Sequence, residues 1–287
     1  MPRRGRPGFT QLPSSRTGIH FANAISEQRR LQHPNSLIGS GLALGDADGD
    51  GLVDVYLNRL DGPNALYRNL GDWRFEDIAN QAGVAAPDRA ATGAVFADVD
   101  GDGDLDLLVT ALGGPNALFL NDGSGVFTEH TVAAELESHH GSTTITLADV
   151  DGDRDLDLYV ANYKAANAED LFRPQERSFD RVVRQVGDRW EVVARFREHY
   201  RVRILPELDI VVRSERAEPD MFYLNDGTGR FEQISFTSGR FLDEGGNPLT
   251  WEPDYFTLTA RDSTTLTATG TPISTCAATL RIRITSG

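Results

Sequence analysis

Asp98-Val99-Asp100-Gly101-Asp102-Gly103-Asp104-Leu105-Asp106 packs five carboxylates into nine residues. Two further stretches line up with it: Asp46-Ala-Asp48-Gly-Asp50-Gly-Leu52-Val-Asp54 and Asp149-Val-Asp151-Gly-Asp153-Arg154-Asp155-Leu-Asp157. Their first residues are spaced by 52 and then 51 positions, and together they hold 14 of the 43 acidic residues. A second motif follows each loop. It runs Leu66-Tyr67-Arg-Asn69-Leu-Gly-Asp-Trp73-Arg-Phe75, Leu118-Phe-Leu-Asn121-Asp-Gly-Ser-Gly-Val-Phe127 and Phe222-Tyr-Leu-Asn225-Asp-Gly-Thr-Gly-Arg-Phe231. The asparagines are spaced by 52 and 104, so the third repeat carries 53 extra residues between its two motifs. Paired motifs at a fixed period mark a repeat architecture.

Each repeat reads as β-structure. Short apolar runs precede the aspartate loops (Leu42–Leu44, Ala94–Phe96, Ile145–Leu147), and alternating runs follow them (Val53–Leu57, Leu105–Val109, Leu156–Val160). Period two with β-branched and aromatic residues fits strands. Asn121-Asp-Gly and Asn225-Asp-Gly fit hairpin turns, because these residues tolerate positive φ. Four short strands in about 50 residues is the pattern of a propeller blade, which needs neighbours stacked on its faces. The expected fold is therefore an all-β propeller, with repeats near 38–90, 91–140 and 141–240 and an insertion at 165–218. A truncated fourth blade would leave residues 1–260 an incomplete ring, since propellers have at least about four blades.

The loops carry the chemistry. A hard divalent cation takes six to eight oxygen ligands. Positions 1, 3 and 5 supply inward carboxylates: Asp46, Asp48 and Asp50; Asp98, Asp100 and Asp102; Asp149, Asp151 and Asp153. Position 7 (Leu52, Asp104, Asp155) offers its carbonyl, and position 9 (Asp54, Asp106, Asp157) closes the shell. An EF-hand is excluded: position 12, a bidentate Glu there, is Leu57, Val109 or Val160, and the flanks alternate as strands rather than helices. Asp and Gly also mark ordinary surface turns. Three in-register acidic copies, however, repel at short range unless a cation sits among them, so the expected cofactor is Ca2+. Arg154 stands where the other loops have Gly51 and Gly103, so strain or its charge is expected to weaken the third site.

The aspartate loops with their preceding strands and Asn-Asp-Gly hairpins resemble the FG-GAP/VCBS repeats of integrin α-chain propellers. The segments Gly62-Pro-Asn-Ala-Leu-Tyr, Gly114-Pro-Asn-Ala-Leu-Phe, Phe9-Thr-Gln-Leu-Pro and Thr17-Gly-Ile-His-Phe bring the resemblance closer to the ASPIC/UnbV, cartilage-acidic-protein-like group. It covers about residues 9–164 and 219–260 and implies a calcium-binding, seven-bladed propeller used for adhesion or protein interaction outside the cytoplasm. It also implies that Asp46, Asp48, Asp50 and Asp54, with their counterparts in the next two loops, are calcium ligands.

Composition narrows the partners. A net charge of −15 argues against nucleic acid and against electrostatic binding to anionic lipid. An apolar fraction of 39 % suffices for a core, and no apolar run reaches transmembrane length. Cys276 is the only cysteine and Lys164 the only lysine. The insertion balances 11 acids with 11 arginines. It reads as an elaborated blade, with a short helix within Glu169–Arg184 and strands at Trp190–Phe196, Tyr200–Ile204 and Leu208–Val212; a basic protrusion for an acidic partner or glycan is the alternative.

Catalytic signatures are lacking: no Gly-x-Ser-x-Gly, His-Glu-x-x-His or phosphate loop occurs. Adjacent His139 and His140 would face opposite ways on a strand and so share no metal. Trp73 and Tyr67 are expected to fill gaps between blades. The function expected is a non-catalytic adhesion or interaction module for an extracellular protein or glycan; a carbohydrate-binding accessory module or fragment of a glycan-processing enzyme is the alternative. Export is expected although Met1-Pro-Arg-Arg-Gly-Arg is followed by no apolar segment. Finally, Thr-rich Arg261–Gly270 stands where a fourth aspartate loop is due. Shifted by one base, permitted codons turn Thr265-Leu-Thr-Ala-Thr-Gly270 into Asp-Leu-Asp-Gly-Asp-Gly. Residues 261–287 are thus expected to be translated out of frame and to carry no function; a genuine Thr-rich strand is the alternative.

Overall fold

A computed structural model describes residues 8–32, 40–205, 208–243, 245–250, 257–262, 265–269 and 279–284, the last three segments by their backbone only. The chain is all-β apart from short helices. After α1 (Ser14–Thr17) and α2 (Glu27–Gln32) comes a four-stranded antiparallel meander of β1 (Leu42–Gly45), β2 (Asp54–Leu57), β3 (Ala65–Asn69) and β4 (Phe75–Asp77), followed by α3 (Ala79–Ala82). The second meander is β5 (Ala91–Ala97), β6 (Asp106–Ala111), β7 (Ala117–Asn121) and β8 (Phe127–Glu129). The third begins with β9 (Ser142–Ala148) and β10 (Asp157–Asn162).

Here the insertion interrupts the sheet. It contains α4 (Ala168–Leu171), α5 (Phe179–Val182), a hairpin of β11 (Val183–Val186) and β12 (Arg189–Val192), a 3-10 turn (Ala194–Phe196) and a hairpin of β13 (Tyr200–Leu205) and β14 (Ile210–Glu215). The single helix expected within Glu169–Arg184 is thus two one-turn helices separated by Pro174, and the strand expected through Phe196 stops at Val192. Phe196 instead turns into a separate small core with Ala168, Val182, Val183, Val192 and Tyr200. The third meander then resumes with β15 (Met221–Asn225) and β16 (Phe231–Gln233), in the sheet order β16-β15-β10-β9.

One bond explains how so long an excursion leaves the sheet intact. In the second sheet the β6–β7 connection is closed by Ala111 N–H donating to Asn116 Oδ1 at 3.0 Å. In the third, Asn162 N–H donates to Asp220 Oδ1 at 2.8 Å at the same repeat position. The insertion leaves and returns through the geometry of a short turn.

A fourth sheet pairs β17 (Phe241–Leu242) with β20 (Thr279–Ile284), β19 (Thr265–Thr269) and β18 (Thr257–Asp262), in that order. The backbone of part of the 261–287 tail is therefore in strands; its side chains, and the remainder of the tail including Cys276, lie outside the described residues.

Period-two alternation gives the second and third sheets two apolar faces, which are buried against their neighbours, whereas Leu42 and Leu44 on the outer face of the first sheet are exposed. Tyr56 and Leu66 of the first sheet meet Leu107, Val109, Phe119 and Phe127 of the second. The opposite face of the second sheet, with Val99, Leu108 and Leu118, meets Leu158, Val160, Tyr223 and Phe231 of the third. Tyr159 and Phe222 on the far side of the third pack on Phe236, Phe241 and Leu249. Strands β6 and β10 are accordingly buried along their whole length. Among the described residues no helix is long and apolar enough to cross a membrane.

Candidate metal centres

The meander order sorts the connections by end. The aspartate loops join the first two strands of each of the first three sheets, and the asparagine turns join their last two. Both lie at one end of the sheets, while the 58–64 and 112–116 connections and the insertion lie at the other.

Within each loop the glycines allow left-handed turns that bring carboxylates together. Asp46, Asp48 and Asp50 each place an oxygen within 4.8 Å of the others; so do Asp98, Asp100 and Asp106, and Asp149, Asp151 and Asp157. The first residue ties the turn: Asp46 accepts from Asp50 N–H at 3.1 Å and Gly51 N–H at 2.8 Å, Asp98 from Gly101 and Gly103, and Asp149 from Gly152 and Arg154. Position 5 differs among the loops. Asp102 and Asp153 lie outside the three-carboxylate groups and accept from the N–H of position 7, Asp104 at 2.9 Å and Asp155 at 3.0 Å. Asp50 accepts from Leu52 N–H at 2.8 Å in the same manner, yet also belongs to its group. At position 7, the carboxylates of Asp104 and Asp155 lie against Gly123 and Gly227 of the asparagine turns.

Position 9 is the most constrained. Asp54, Asp106 and Asp157 are buried at 2 %, 0 % and 1 % exposure. One oxygen accepts the position-2 N–H of its own loop: Ala47 at 3.0 Å, Val99 at 3.0 Å and Val150 at 2.9 Å. The other accepts the N–H of the turn asparagine: Asn69 at 2.7 Å, Asn121 at 2.9 Å and Asn225 at 3.1 Å. This carboxylate fastens the loop to the sheet in all three repeats; Asp106 and Asp157 also belong to the converging group of their loops, whereas Asp54 lies outside that of the first. Burial pushes the Asp106 and Asp157 carboxyls up to about 6, against the lowering pull of those N–H donors. Burial raises Asp54 too, and burial with neighbouring carboxylates raises Asp100 and Asp151.

The donor set fits a hard cation. Three carboxylates converge in each loop, with no basic side chain bonded to them among the described residues, and Asp151 Oδ1 is buried without a hydrogen-bond partner. Oxygen donors of this kind suit calcium rather than a softer ion. Arg154 adopts φ +85°, close to Gly51 (+87°) and Gly103 (+95°), so the third loop keeps the fold of the other two at the cost of a strained non-glycine residue.

Other candidates separate clearly. Tyr67 is buried and its hydroxyl accepts from His20 N–H, whereas Trp73 is 65 % exposed and fills no gap between the described sheets. Trp73 holds φ +61° where the next turn has Gly125, whose α-carbon faces Asp48 of the preceding loop so closely that a Cβ would lie 3.1 Å from it. His140 lines a cavity of about 310 Å³ with Asp220, Met221 and Gln233. Asp220 there is committed to Tyr159 Oη–H at 2.6 Å and Asn162 N–H, and neither His139 nor His140 joins an acidic group among the described residues.

Sequence reasoning missed the role of the turn asparagines. Asn121 Nδ2 donates to Ala47 O at 2.8 Å and to Leu105 O at 3.0 Å; Asn225 Nδ2 donates to Val99 O at 2.8 Å. Each thus grips the aspartate loop of the preceding sheet. The repetition of Asn at three fixed positions was the available signal.

Comparison with known proteins agrees with this layout. Residues 46–109 and 98–160 match an FG-GAP-like repeat. Cartilage acidic protein 1 of Xenopus tropicalis is 30% identical over 139 residues, 47% of this chain and 22% of that protein. The Homo sapiens protein of the same name is 31% identical over 139 residues, again 47% of this chain and 21% of its own length. The chain thus spans about a fifth of the length of the curated relatives it matches. Over residues 46–160 it carries FG-GAP-like repeats.

Proposed function

We propose that this FG-GAP-like repeat chain is a calcium-binding, non-catalytic module of β-propeller type that holds a partner outside the cytoplasm. The observation that supports it is the threefold recurrence of converging carboxylates at one end of stacked four-stranded sheets. Position 1 (Asp46, Asp98, Asp149) and position 3 (Asp48, Asp100, Asp151) face the ion. Position 5 (Asp50, Asp102, Asp153) and the carbonyl of position 7 (Leu52, Asp104, Asp155) complete the ring. Position 9 (Asp54, Asp106, Asp157) closes it while staying fastened to the backbone. A bound calcium ion supplies the positive charge that these carboxylates lack. The loops then present a rigid, regularly spaced edge, and the sheets act as blades whose stacking keeps that spacing.

The partner is an extracellular protein or a glycan. Exposed Trp73 in the first asparagine turn supports the second reading, carbohydrate binding, because an exposed aromatic face suits a sugar ring. Binding to a glycan array and capture of proteins from extracellular fractions, each in calcium and in chelator, separate the two. Protein capture that needs calcium and is lost in Asp48→Ala/Asp100→Ala supports the interaction module. Glycan binding lost in Trp73→Ala supports the carbohydrate reading. Calcium-independent behaviour in both assays contradicts the proposal.

A further inference from the structure

We infer, resting on the calcium reading above, that Asn121 and Asn225 are positioning residues that couple the three loops, so that ion binding at neighbouring loops is cooperative. The basis is an unbroken run of buried hydrogen bonds from loop to loop. Ala47, at position 2 of the first loop, receives Asn121 Nδ2 on its carbonyl at 2.8 Å. The backbone N–H of the same Asn121 donates to Asp106, the position-9 carboxylate of the second loop, at 2.9 Å. The other oxygen of Asp106 accepts from Val99 N–H at 3.0 Å, and the Val99 carbonyl receives Asn225 Nδ2 at 2.8 Å. Asn225 N–H in turn donates to Asp157 of the third loop at 3.1 Å. Each asparagine therefore has its main chain on one loop and its side chain on the loop before it.

The run is shielded from solvent: Asn121 and Asn225 are 7 % and 5 % exposed, Asp106 is 0 %, and Val99 is 1 %. Buried networks of this kind are strong when complete and costly to break. Asp106 also belongs to the carboxylate group of its own loop. Fixing Asp106 in a metal shell thus fixes the Asn121 peptide, and with it the side chain that holds the first loop closed. Ordering of the second loop lowers the cost of ordering the first, and the reverse holds to the same extent, because coupling between sites is reciprocal. Asn225 plays that part between the third loop and the second. In the first turn, Asn69 Nδ2 bonds Val53 O of its own sheet at 3.0 Å, so the relay begins there.

The test is calorimetric titration with calcium of Asp151→Ala, which leaves the first two loops. Two ions are expected, the second binding at least about fivefold tighter than independent sites allow, the lower end of typical coupling. Asn121→Ala in that background should make the two sites independent, whereas Asn225→Ala should leave their coupling intact. If Asn121→Ala misfolds, as judged by its circular dichroism and melting in chelator, Asn121→Asp serves: it retains an acceptor for Gly125 N–H but cannot donate to Ala47. Independent sites in Asp151→Ala, coupling that survives in the Asn121 variants, or equal loss in the Asn121 and Asn225 variants overturns the inference while leaving calcium binding intact. No calcium binding at all overturns both.

Discussion

Replacing Arg154 by glycine should stabilise the protein by about 1 kcal/mol. Arg154 sits at φ +85° where its sister loops have glycine at +87° and +95°. A left-handed conformation costs an ordinary L-residue about 1–2 kcal/mol. Part of that relief is offset by the larger freedom of glycine in the unfolded chain, about 0.5–1 kcal/mol. A Cβ at the equivalent Gly51 or Gly103 would meet nothing within 4 Å and Arg154 is exposed, so the strain lies in the backbone and little packing goes with the side chain. For a chain of this size 1 kcal/mol corresponds to about 2 °C in Tm. Arg154 also brings a positive charge into a loop whose acids would hold the ion. Arg154→Ala separates the two effects, because it removes the charge and keeps the strained φ. In chelator, glycine should melt above both alanine and wild type. In calcium, both variants should bind at the third loop more tightly than wild type. A glycine variant no more stable than the alanine variant in chelator would refute the strain argument; unchanged affinity in both would refute the charge argument.

Leu107→Ala, at 0 % exposure between the first and second sheets, should cost about 2–5 kcal/mol in denaturant unfolding; a loss below 1 kcal/mol would mean that those sheets are not packed as described. Trp73→Gly relieves the φ of +61° at an exposed site and should raise stability by about 0.5–1 kcal/mol, read as a higher denaturant midpoint; a lower midpoint would show that Trp73 packs on something. In chelator, lowering the pH from 7 to 5 should stabilise the fold: Asp106 and Asp157 titrate at about 6 when folded, above the ordinary carboxylate value, so the folded state takes up more protons in that window. Asp106→Asn should flatten that slope, and a melting temperature that falls steadily over the same range would contradict the buried placement of these carboxyls.

Local, periodic features were legible in the sequence. The strands, the hairpin turns and the left-handed loop positions follow from residues a few positions apart, so Leu105–Val109 and Asn121-Asp-Gly read directly as a strand and a turn. The convergence of positions 1 and 3 followed for the same reason. The dual role of position 9 did not, because the partners of Asp106 include Asn121, on another strand. Less legible still were the Asn121–Ala47 and Asn225–Val99 bonds, which span 74 and 126 residues and exist only once sheets stack. In the insertion the strand at Tyr200–Ile204 was legible from its alternation, and those at Trp190–Phe196 and Leu208–Val212 in part, but the turn of Phe196 into a private core with Tyr200 is a packing that no repeat pattern encodes. Trp73 was misjudged because an aromatic in a turn reads as packing, while its exposure depends on what lies beside the first sheet.

The most direct measurement is calcium titration by calorimetry, paired with melting of the same protein in calcium and in chelator. Up to three ions should bind, with Kd in the range of about 10⁻⁴ to 10⁻³ M if the loops behave as extracellular-type sites. Each occupied loop should add RT ln(1 + [L]/Kd), about 2.7 kcal/mol at a hundredfold excess, and Asp100→Ala should remove one site and its share of the stabilisation in calcium while changing little in chelator. Absence of binding heat together with identical melting in calcium and chelator would contradict the assignment of the aspartate loops as calcium sites.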